Sequence, residues 1–197
     1  NAASFSPSGH VLAVGCHDHS VVLFDSESGG TKFVLTGHSR PVTALAFVAN
    51  DTSLVSCGAD QSIRIWNGEQ GTFVRSLTNH TQPITSLALR PNTSDALPMI
   101  ATGSNDKTVR LWQPTIGRMV RFQRLTSAVT ALAWTKDGNS IIVGCQDGRI
   151  RIVQADTLQT TENPAANNAW ITAISVHPTE SMILAGDSDG NIVKLPL

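Results

Sequence analysis

A segment in which a polar turn leads into an alternating strand recurs five times along this chain, and the repetition limits the possible folds more than any other feature. The two closest copies are GADQSIRIW at 58–66 and SNDKTVRLW at 104–112. Weaker copies read CHDHSVVLF at 16–24, CQDGRIRIV at 145–153 and DSDGNIVKL at 187–195. Their turn aspartates, which follow one another at intervals of 42, 46, 41 and 42 residues, are Asp18, Asp60, Asp106, Asp147 and Asp189. Such a period is typical of repeat proteins, in which similar units stack on their neighbours.

Each period contains four segments of strand length. In the best-formed period, PVTALAF at 41–47 is followed by LVSCG at 54–58, SIRIWN at 62–67 and FVRSLT at 73–78. Turn residues separate these segments, and apolar side chains alternate along them, as in half-buried strands. The pattern predicts a four-stranded antiparallel sheet. Because no segment has the period and the caps of a helix, the predicted class is all-β.

A sheet of this kind has two apolar faces, so it needs a neighbour on each side. Sheets that stack face to face around an axis meet this need and leave only short edges exposed. The sequence therefore predicts a β-propeller of four-stranded antiparallel blades. We expect the blades at about 1–37, 38–79, 80–126, 127–163 and 164–197.

Two of the periods resemble the WD-repeat family. Gly37-His38 opens a period that ends at Trp66, and Asn79-His80 opens one that ends at Trp112. The resemblance covers nearly the whole chain and implies a propeller, which in this family most often has seven blades. The chain starts near the end of an innermost strand and stops after a third strand, so we expect about five blades of a larger, seven-bladed ring.

The resemblance also implies a buried, hydrogen-bonded tetrad in each of these two periods. The tetrads are His38, Ser56, Asp60 and Trp66 in the first, and His80, Thr102, Asp106 and Trp112 in the second. In such a tetrad the indole and the hydroxyl donate, the imidazole bridges, and the carboxylate accepts. We therefore interpret each His–Asp pair as structural and not as a catalytic dyad.

The other three periods depart from the tetrad pattern. They carry Phe24, Val153 and Leu195 at the Trp position, and Val14, Val143 and Ala185 at the hydroxyl position. We expect those blades to be held by apolar packing alone.

Composition and charge limit the expected partners. The 197 residues are 41% hydrophobic and 15% charged, which is sufficient for a packed core. The formal net charge of −1 provides no overall attraction to nucleic acid or an anionic membrane, and no apolar run reaches the roughly 18 residues of a membrane helix. Cys16, Cys57 and Cys145 end apolar runs, and we interpret them as buried thiols, which favours a reducing compartment. The expected partners are proteins or peptides, in the cytoplasm or the nucleus.

Three short motifs have catalytic or metal-binding alternatives. GDSDG at 186–190 matches the nucleophile elbow G-x-S-x-G, but a strand follows where that chemistry needs a helix. The acidic residues of the same segment alternate as in a calcium loop, but the distal glutamate of such a loop is missing. HDH at 17–19 spaces two imidazoles poorly for binding one metal ion. We interpret all three as turns and predict no catalytic residue, no metal and no cofactor.

The leading functional hypothesis is a rigid, non-catalytic scaffold that presents its loops to other proteins. The alternative is an enzyme or small-ligand binder that uses the central channel, which would need ionisable residues on the innermost strands. Those strands read PVTALAF, PITSLAL, AVTALAW and WITAISV and contain none, so we expect no small-molecule substrate. Assembly by edge pairing or oligomerisation stays open.

The partner surface is predicted at the end of the blades where the turn aspartates and the histidine loops emerge together. Its candidate residues are His17, Arg40, Gln82, Asn105, Gln146 and Trp170. Trp170 is prominent because the equivalent positions carry Pro41, Pro83 and Ala128. An exposed indole there is typical of an interface hot spot. Alternatively, the indole folds back over its own blade.

Overall fold

The computed structural model describes residues 2–49, 51–91, 97–163, 169–179 and 181–197, and all of its regular elements are strands. The first eight are β1 (Ala2–Phe5), β2 (Val11–Gly15), β3 (Val21–Asp25), β4 (Thr31–Leu35), β5 (Val42–Ala49), β6 (Ser53–Gly58), β7 (Ser62–Asn67) and β8 (Thr72–Thr78). The next eight are β9 (Ile84–Leu89), β10 (Ile100–Ser104), β11 (Thr108–Gln113), β12 (Arg118–Arg124), β13 (Val129–Trp134), β14 (Ser140–Cys145), β15 (Ile150–Gln154) and β16 (Thr160–Asn163). The last three are β17 (Ile171–Val176), β18 (Met182–Asp187) and β19 (Ile192–Pro196).

These strands form antiparallel sheets in which neighbours along the chain are also neighbours in space. The strand orders are β1-β2-β3-β4, β5-β6-β7-β8, β9-β10-β11-β12, β13-β14-β15-β16 and β17-β18-β19. We call these sheets blades 1 to 5. The last one has three strands within the part of the chain that the structure describes. The predicted all-β class and the antiparallel blades are confirmed.

The first strand of each blade lies innermost and packs beside the first strand of the next blade. In blades 3 and 4 a threonine near the start of this strand contacts both its own blade and the next one. In blade 3, Thr85 Oγ1 donates to the backbone carbonyl of Gly103 at 3.0 Å and to that of Val129, in blade 4, at 2.7 Å. Thr130 makes the equivalent pair of contacts between blades 4 and 5. We call this arrangement the inner clasp.

Glycines just before the turns let neighbouring blades approach each other closely. Gly103, at the end of β10, lies against Val129, and a Cβ atom there would overlap the Val129 side chain. Likewise, a Cβ atom on Gly15 would lie only 2.6 Å from Val42 Cγ1 of the next blade. A β-branched residue of one blade therefore fills the space that a glycine leaves in the preceding blade.

At the periphery, a side chain of the outermost strand reaches the turn between the third and fourth strands of the next blade. These outer latches pair Phe33 with Gly71, Arg75 with Gly117, and Arg121 with the carbonyls of Ala155 and Asp156. The three latch residues occupy equivalent positions, opposite Leu23, Ile65 and Leu111 of the third strands. The blades are thus connected at their outer edges as well as near the axis.

The apolar core is divided among the interfaces between neighbouring blades. Its clusters join blades 1 and 2 through Leu23, Leu45 and Trp66, blades 2 and 3 through Ile65, Ile84 and Ile100, blades 3 and 4 through Leu111, Val143 and Val153, and blades 4 and 5 through Ile142, Ile171 and Ile183. The face-to-face packing predicted from the two apolar faces of each sheet is therefore observed.

The three cysteines are free thiols, and two of them are buried as predicted. Burial raises the pKa of the Cys145 thiol to about 11 and that of the Cys57 thiol further. Cys16 is only partly buried, because it follows the last residue of β2 and lies next to the exposed His17 of the turn. Among the elements that the structure describes there is no helix that could span a membrane.

Candidate functional site

The four side chains of the blade 2 tetrad lie in contact and connect two strands, the turn between them and the loop before the innermost strand. The ring atom His38 Nδ1 lies 2.9 Å from Asp60 Oδ2, and His38 Nε2 lies 2.8 Å from Ser56 Oγ. Trp66 Nε1 donates to the same hydroxyl oxygen at 2.8 Å. His38 precedes β5, Ser56 lies in β6, Trp66 lies in β7, and Asp60 lies in the turn between β6 and β7. These contacts therefore cross-link the blade.

Blade 3 repeats the arrangement. His80 Nδ1 lies 2.8 Å from Asp106 Oδ2, and His80 Nε2 lies 2.8 Å from Thr102 Oγ1. Trp112 Nε1 donates to Thr102 Oγ1 at 2.8 Å, so the proton of that hydroxyl is available to the imidazole. The arrangement suits a neutral imidazole that donates from Nδ1 to the carboxylate.

The protonation states of this second tetrad follow from burial and hydrogen bonding. Burial lowers the pKa of His80, although Asp106 acts in the opposite direction. Burial acts to raise the pKa of Asp106, but hydrogen bonds from Thr108 and His80 outweigh it and hold that pKa below its usual value. At neutral pH the pair consists of a neutral imidazole and a carboxylate whose oxygens accept donors from their own blade.

Blade 4 is held by a buried arginine, so the prediction that blades without a tetrad rely on apolar packing alone is wrong for this blade. Arg151 is only 1% exposed and donates to Asp147 Oδ1 at 3.1 Å and to Oδ2 at 2.7 Å. It also donates to Glu162 Oε1 and to Thr126 Oγ1, each at 2.8 Å. The planar guanidinium thus connects the turn, the outermost strand and the preceding loop.

The equivalent arginines of blades 2 and 3 have aromatic partners. The Cζ atom of Arg64 lies 5.5 Å from the ring centroid of Phe73, and that of Arg110 lies 5.2 Å from the centroid of Phe122. Both distances are within the range of cation–π attraction. Arg110 also lies 3.9 Å from Asp106 Oδ2, so in blade 3 the guanidinium has both a ring and a carboxylate beside it.

In blade 5 the turn is capped by a different aspartate from the one predicted. Asp187 Oδ1 accepts the backbone N–H groups of Asp189 at 3.0 Å and Asn191 at 2.9 Å, and Asp187 Oδ2 accepts Asn191 Nδ2 at 3.0 Å. In blade 1 the predicted residue, Asp18, accepts the backbone N–H of Ser20 at 3.0 Å. Asp189, the aspartate that continues the repeat, takes part in this cap only through its backbone N–H, and its side chain is exposed.

The predicted partner-binding residues lie at the end of the blades where the tetrad histidines and turn aspartates are found, and we call this end the tetrad rim. All six are exposed: His17, Arg40, Gln82, Asn105, Gln146 and Trp170. The backbone N–H of Asn105 donates to the carbonyl of Pro83 at 3.0 Å, and that of Ser188 donates to the carbonyl of Trp170 at 2.8 Å. The turns and the entries to the innermost strands are therefore adjacent on this rim.

The indole of Trp170 is 52% exposed, which favours an outward position over one folded back on its own blade. It borders a shallow pocket with Ser188, Asp189 and Ile192. In the described ranges of the chain, no group of three or more His, Cys, Asp or Glu side chains is arranged to hold a metal ion.

Comparison with known proteins is consistent with this architecture. Residues 1–194 match the family model described as the IFT122 first beta-propeller. The WD repeat-containing protein 26 homolog of Arabidopsis thaliana is 26% identical over 91% of this chain and 30% of its own length. The periodic tryptophan protein 2 homolog of Caenorhabditis elegans is 32% identical over 53% of this chain and 11% of its own length. The pre-mRNA-processing factor 19 of Oryza sativa subsp. japonica is 44% identical over 28% of this chain and 10% of its own length. The chain thus spans no more than 30% of these relatives.

Proposed function

Because this chain belongs to the IFT122 first beta-propeller family of WD-repeat propellers, we propose that it is a non-catalytic scaffold that binds proteins or peptides through its tetrad rim. The relationship to WD-repeat propellers supports an interaction scaffold in general. The proposal is more specific in three respects: the rim as the binding surface, the residues that contact the partner, and a location in the cytoplasm or the nucleus.

The exposed indole of Trp170 carries the proposal. The backbone carbonyl of Trp170 accepts a hydrogen bond from the following turn, as the carbonyls of Pro83 and Ala128 do in blades 3 and 4. The fold therefore requires only a small residue at this position. A large aromatic side chain that is 52% exposed contributes little to its own blade and offers an apolar anchor to a partner. Asp189 adds an exposed carboxylate to the same shallow pocket.

The central channel offers less support for a catalytic role. The innermost strands contain no ionisable residue in the described ranges. Four threonines of these strands donate to backbone carbonyls, and they are Thr43, Thr85, Thr130 and Thr172. Side chains that hold blades in place are not free to act on a substrate.

A photo-crosslinking experiment tests the proposal. A benzophenone amino acid at position 170 should capture partner proteins from cells, whereas the same group at Ile116, on a turn at the opposite end of blade 3, should not. Trp170→Ala should abolish partner binding and leave the melting temperature unchanged, and Ile116→Ala, which also truncates an exposed apolar side chain, should change neither. If Trp170→Ala lowers the melting temperature and partner binding persists, the indole serves its own blade and the proposal fails.

A further inference from the structure

Basic side chains are concentrated on blade 3, although the chain as a whole is nearly neutral. Residues 80–126 contain six Lys or Arg and two Asp, whereas the complete sequence has fourteen Lys or Arg and fifteen Asp or Glu. Of the two acids, Asp106 is held in the tetrad, and Asp95 lies outside the described residues. Blade 3 therefore carries an excess of positive charge that the rest of the chain balances overall.

Three of these cations lie on the outermost strand of blade 3, β12, whose sequence is RMVRFQR. Its inner edge pairs with β11, and its outer edge pairs with no strand that the structure describes. Arg118, Arg121 and Arg124 are exposed, and the ring of Phe122 is 49% exposed. This edge combines unpaired backbone groups with cationic and aromatic side chains.

The three arginines differ in how far their charge is already balanced. Arg121 forms an outer latch and lies 3.5 Å from the exposed carboxylate of Asp156. Arg118 donates to the neutral side chain of Gln113 at 2.7 Å. Neither Arg118 nor Arg124 contacts a carboxylate among the residues that the structure describes. Their charges are available to a partner.

On the outermost strand of blade 4, in contrast, a carboxylate balances the positive charge of nearby arginines. On β16, Glu162 accepts from Arg149 at 2.7 Å and from Arg151 at 2.8 Å. Phe122 stands opposite Arg110 in the register where Glu162 stands opposite Arg151. At this position blade 3 therefore has the aromatic ring of Phe122, whereas blade 4 has the carboxylate of Glu162. A partner would supply the carboxylates that the edge of blade 3 lacks.

We propose that the outer edge of blade 3 binds an acidic, extended segment of a partner protein, which adds to β12 as a further strand. Backbone hydrogen bonds to an exposed sheet edge provide affinity in such complexes, and alternate side chains provide specificity. The register shift in β12 places Arg118 on one face of the sheet and Arg124 on the other, beside Phe122. Carboxylates on both faces of the segment would therefore pair with the two arginines, and an apolar side chain would cover Phe122. This edge runs along the outermost strand and reaches the tetrad-rim end only at Arg124, opposite Thr108, whereas the proposed rim residues of blade 3, Gln82 and Asn105, lie in the loops before β9 and β11. The inference therefore does not depend on the rim as a binding site.

Fluorescence anisotropy with a labelled peptide tests the proposal on the intact protein. The probe is a peptide of about ten residues, long enough to span β12, with two adjacent valines at its centre and glutamates on either side, so that each face of the added strand offers both carboxylates and an apolar side chain. It should bind at low salt, more weakly as salt increases, and the double variant Arg118→Glu/Arg124→Glu should weaken binding by about tenfold or more. Phe122→Ala should weaken it several-fold.

The matched control is Lys136→Glu/Lys194→Glu, which changes the net charge equally through exposed lysines of blades 4 and 5. It should leave the affinity nearly unchanged, and so should Trp170→Ala, which separates this edge from the tetrad rim. Circular dichroism checks that each variant is folded.

Three results would overturn the proposal. Equal losses in both double variants would mean that only net charge matters. Tighter binding of an oligouridine of equal charge would identify a nucleic-acid surface. No binding of the acidic peptide would leave the arginines as charges that protect an exposed edge from aggregation.

Discussion

Replacing Asp106 by alanine should destabilise blade 3 by an amount that the hydrogen bonds of the tetrad define. The carboxylate accepts His80 Nδ1 at 2.8 Å, Thr81 N at 3.1 Å, Thr108 N at 2.9 Å and Thr108 Oγ1 at 2.6 Å. Thr81 is exposed, so water can replace the carboxylate there, but the His80 side chain is fully buried. Because a buried donor without an acceptor costs about 1–3 kcal/mol, we expect the free energy of unfolding to fall by about 2–3 kcal/mol.

Urea denaturation followed by tryptophan fluorescence measures this loss, since the indole of Trp112 belongs to the same tetrad and is buried. In a domain of this size each kcal/mol also lowers the melting temperature by roughly 2–4 °C. The control is Asp18→Ala in the equivalent turn of blade 1. Asp18 is exposed, and among the described residues its carboxylate accepts from the backbone and the hydroxyl of Ser20, so its removal should leave the midpoint unchanged.

Two outcomes would refute this reasoning. If Asp106→Ala and Asp18→Ala have equal midpoints, the tetrad adds nothing to an ordinary aspartate turn. If Asp106→Ala keeps the stability of the wild type but loses partner binding, the carboxylate acts in binding and not in holding the blade.

Three further predictions concern other parts of the structure. Because burial holds the pKa of His80 below its ordinary value of 6.5, the unfolded chain takes up a proton that the folded chain does not, and stability should fall as the pH drops below about 6.5. Urea titrations at several pH values measure this loss of stability, which should be smaller in His80→Gln than in the wild type. Equal losses in the two proteins would contradict a buried neutral imidazole. Arg151→Lys should lower the free energy of unfolding, measured in urea, by about 1–3 kcal/mol, since one ammonium group cannot satisfy the acceptors that the guanidinium reaches. A variant as stable as the wild type would show that these contacts do not stabilise blade 4. Gly103→Ala should cost about 1–3 kcal/mol through its overlap with Val129, and adding Val129→Ala should recover part of the loss; strictly additive losses would rule out the overlap as the cause.

The sequence predicted those features whose residue types recur at fixed spacing. The alternation of short apolar runs was sufficient for the all-β class. The two tetrads were implied by the resemblance to the WD-repeat family, whose His, Ser or Thr, Asp and Trp keep the same order in both periods. The sequence does not identify Glu162 as a partner of Arg151, because it lies eleven residues further along the chain and its position depends on the register between β15 and β16. That register cannot be read from a single strand.

The turn of blade 5 shows a second limit. Aligning the repeats favours Asp189 as the capping residue, since it continues the period. In the structure, however, the carboxylate that accepts from the donors of the turn belongs to Asp187. For Trp170 the sequence left an exposed and a folded-back position open. The choice between them depends on how the loop enters β17, which no local pattern specifies.

Blades 3 and 4 are joined at two different distances from the propeller axis, by the inner clasp of Thr85 and the outer latch of Arg121. A single connection would leave an axis about which one blade could rock against the other, and a second connection at a larger radius removes it. The groups of the two blades that contact a shared ligand are therefore held at a fixed separation before the ligand binds. Little conformational entropy of the protein is lost on binding as a result. Substitutions in the exposed turns can consequently change which ligand is bound without altering the distance between the two blades.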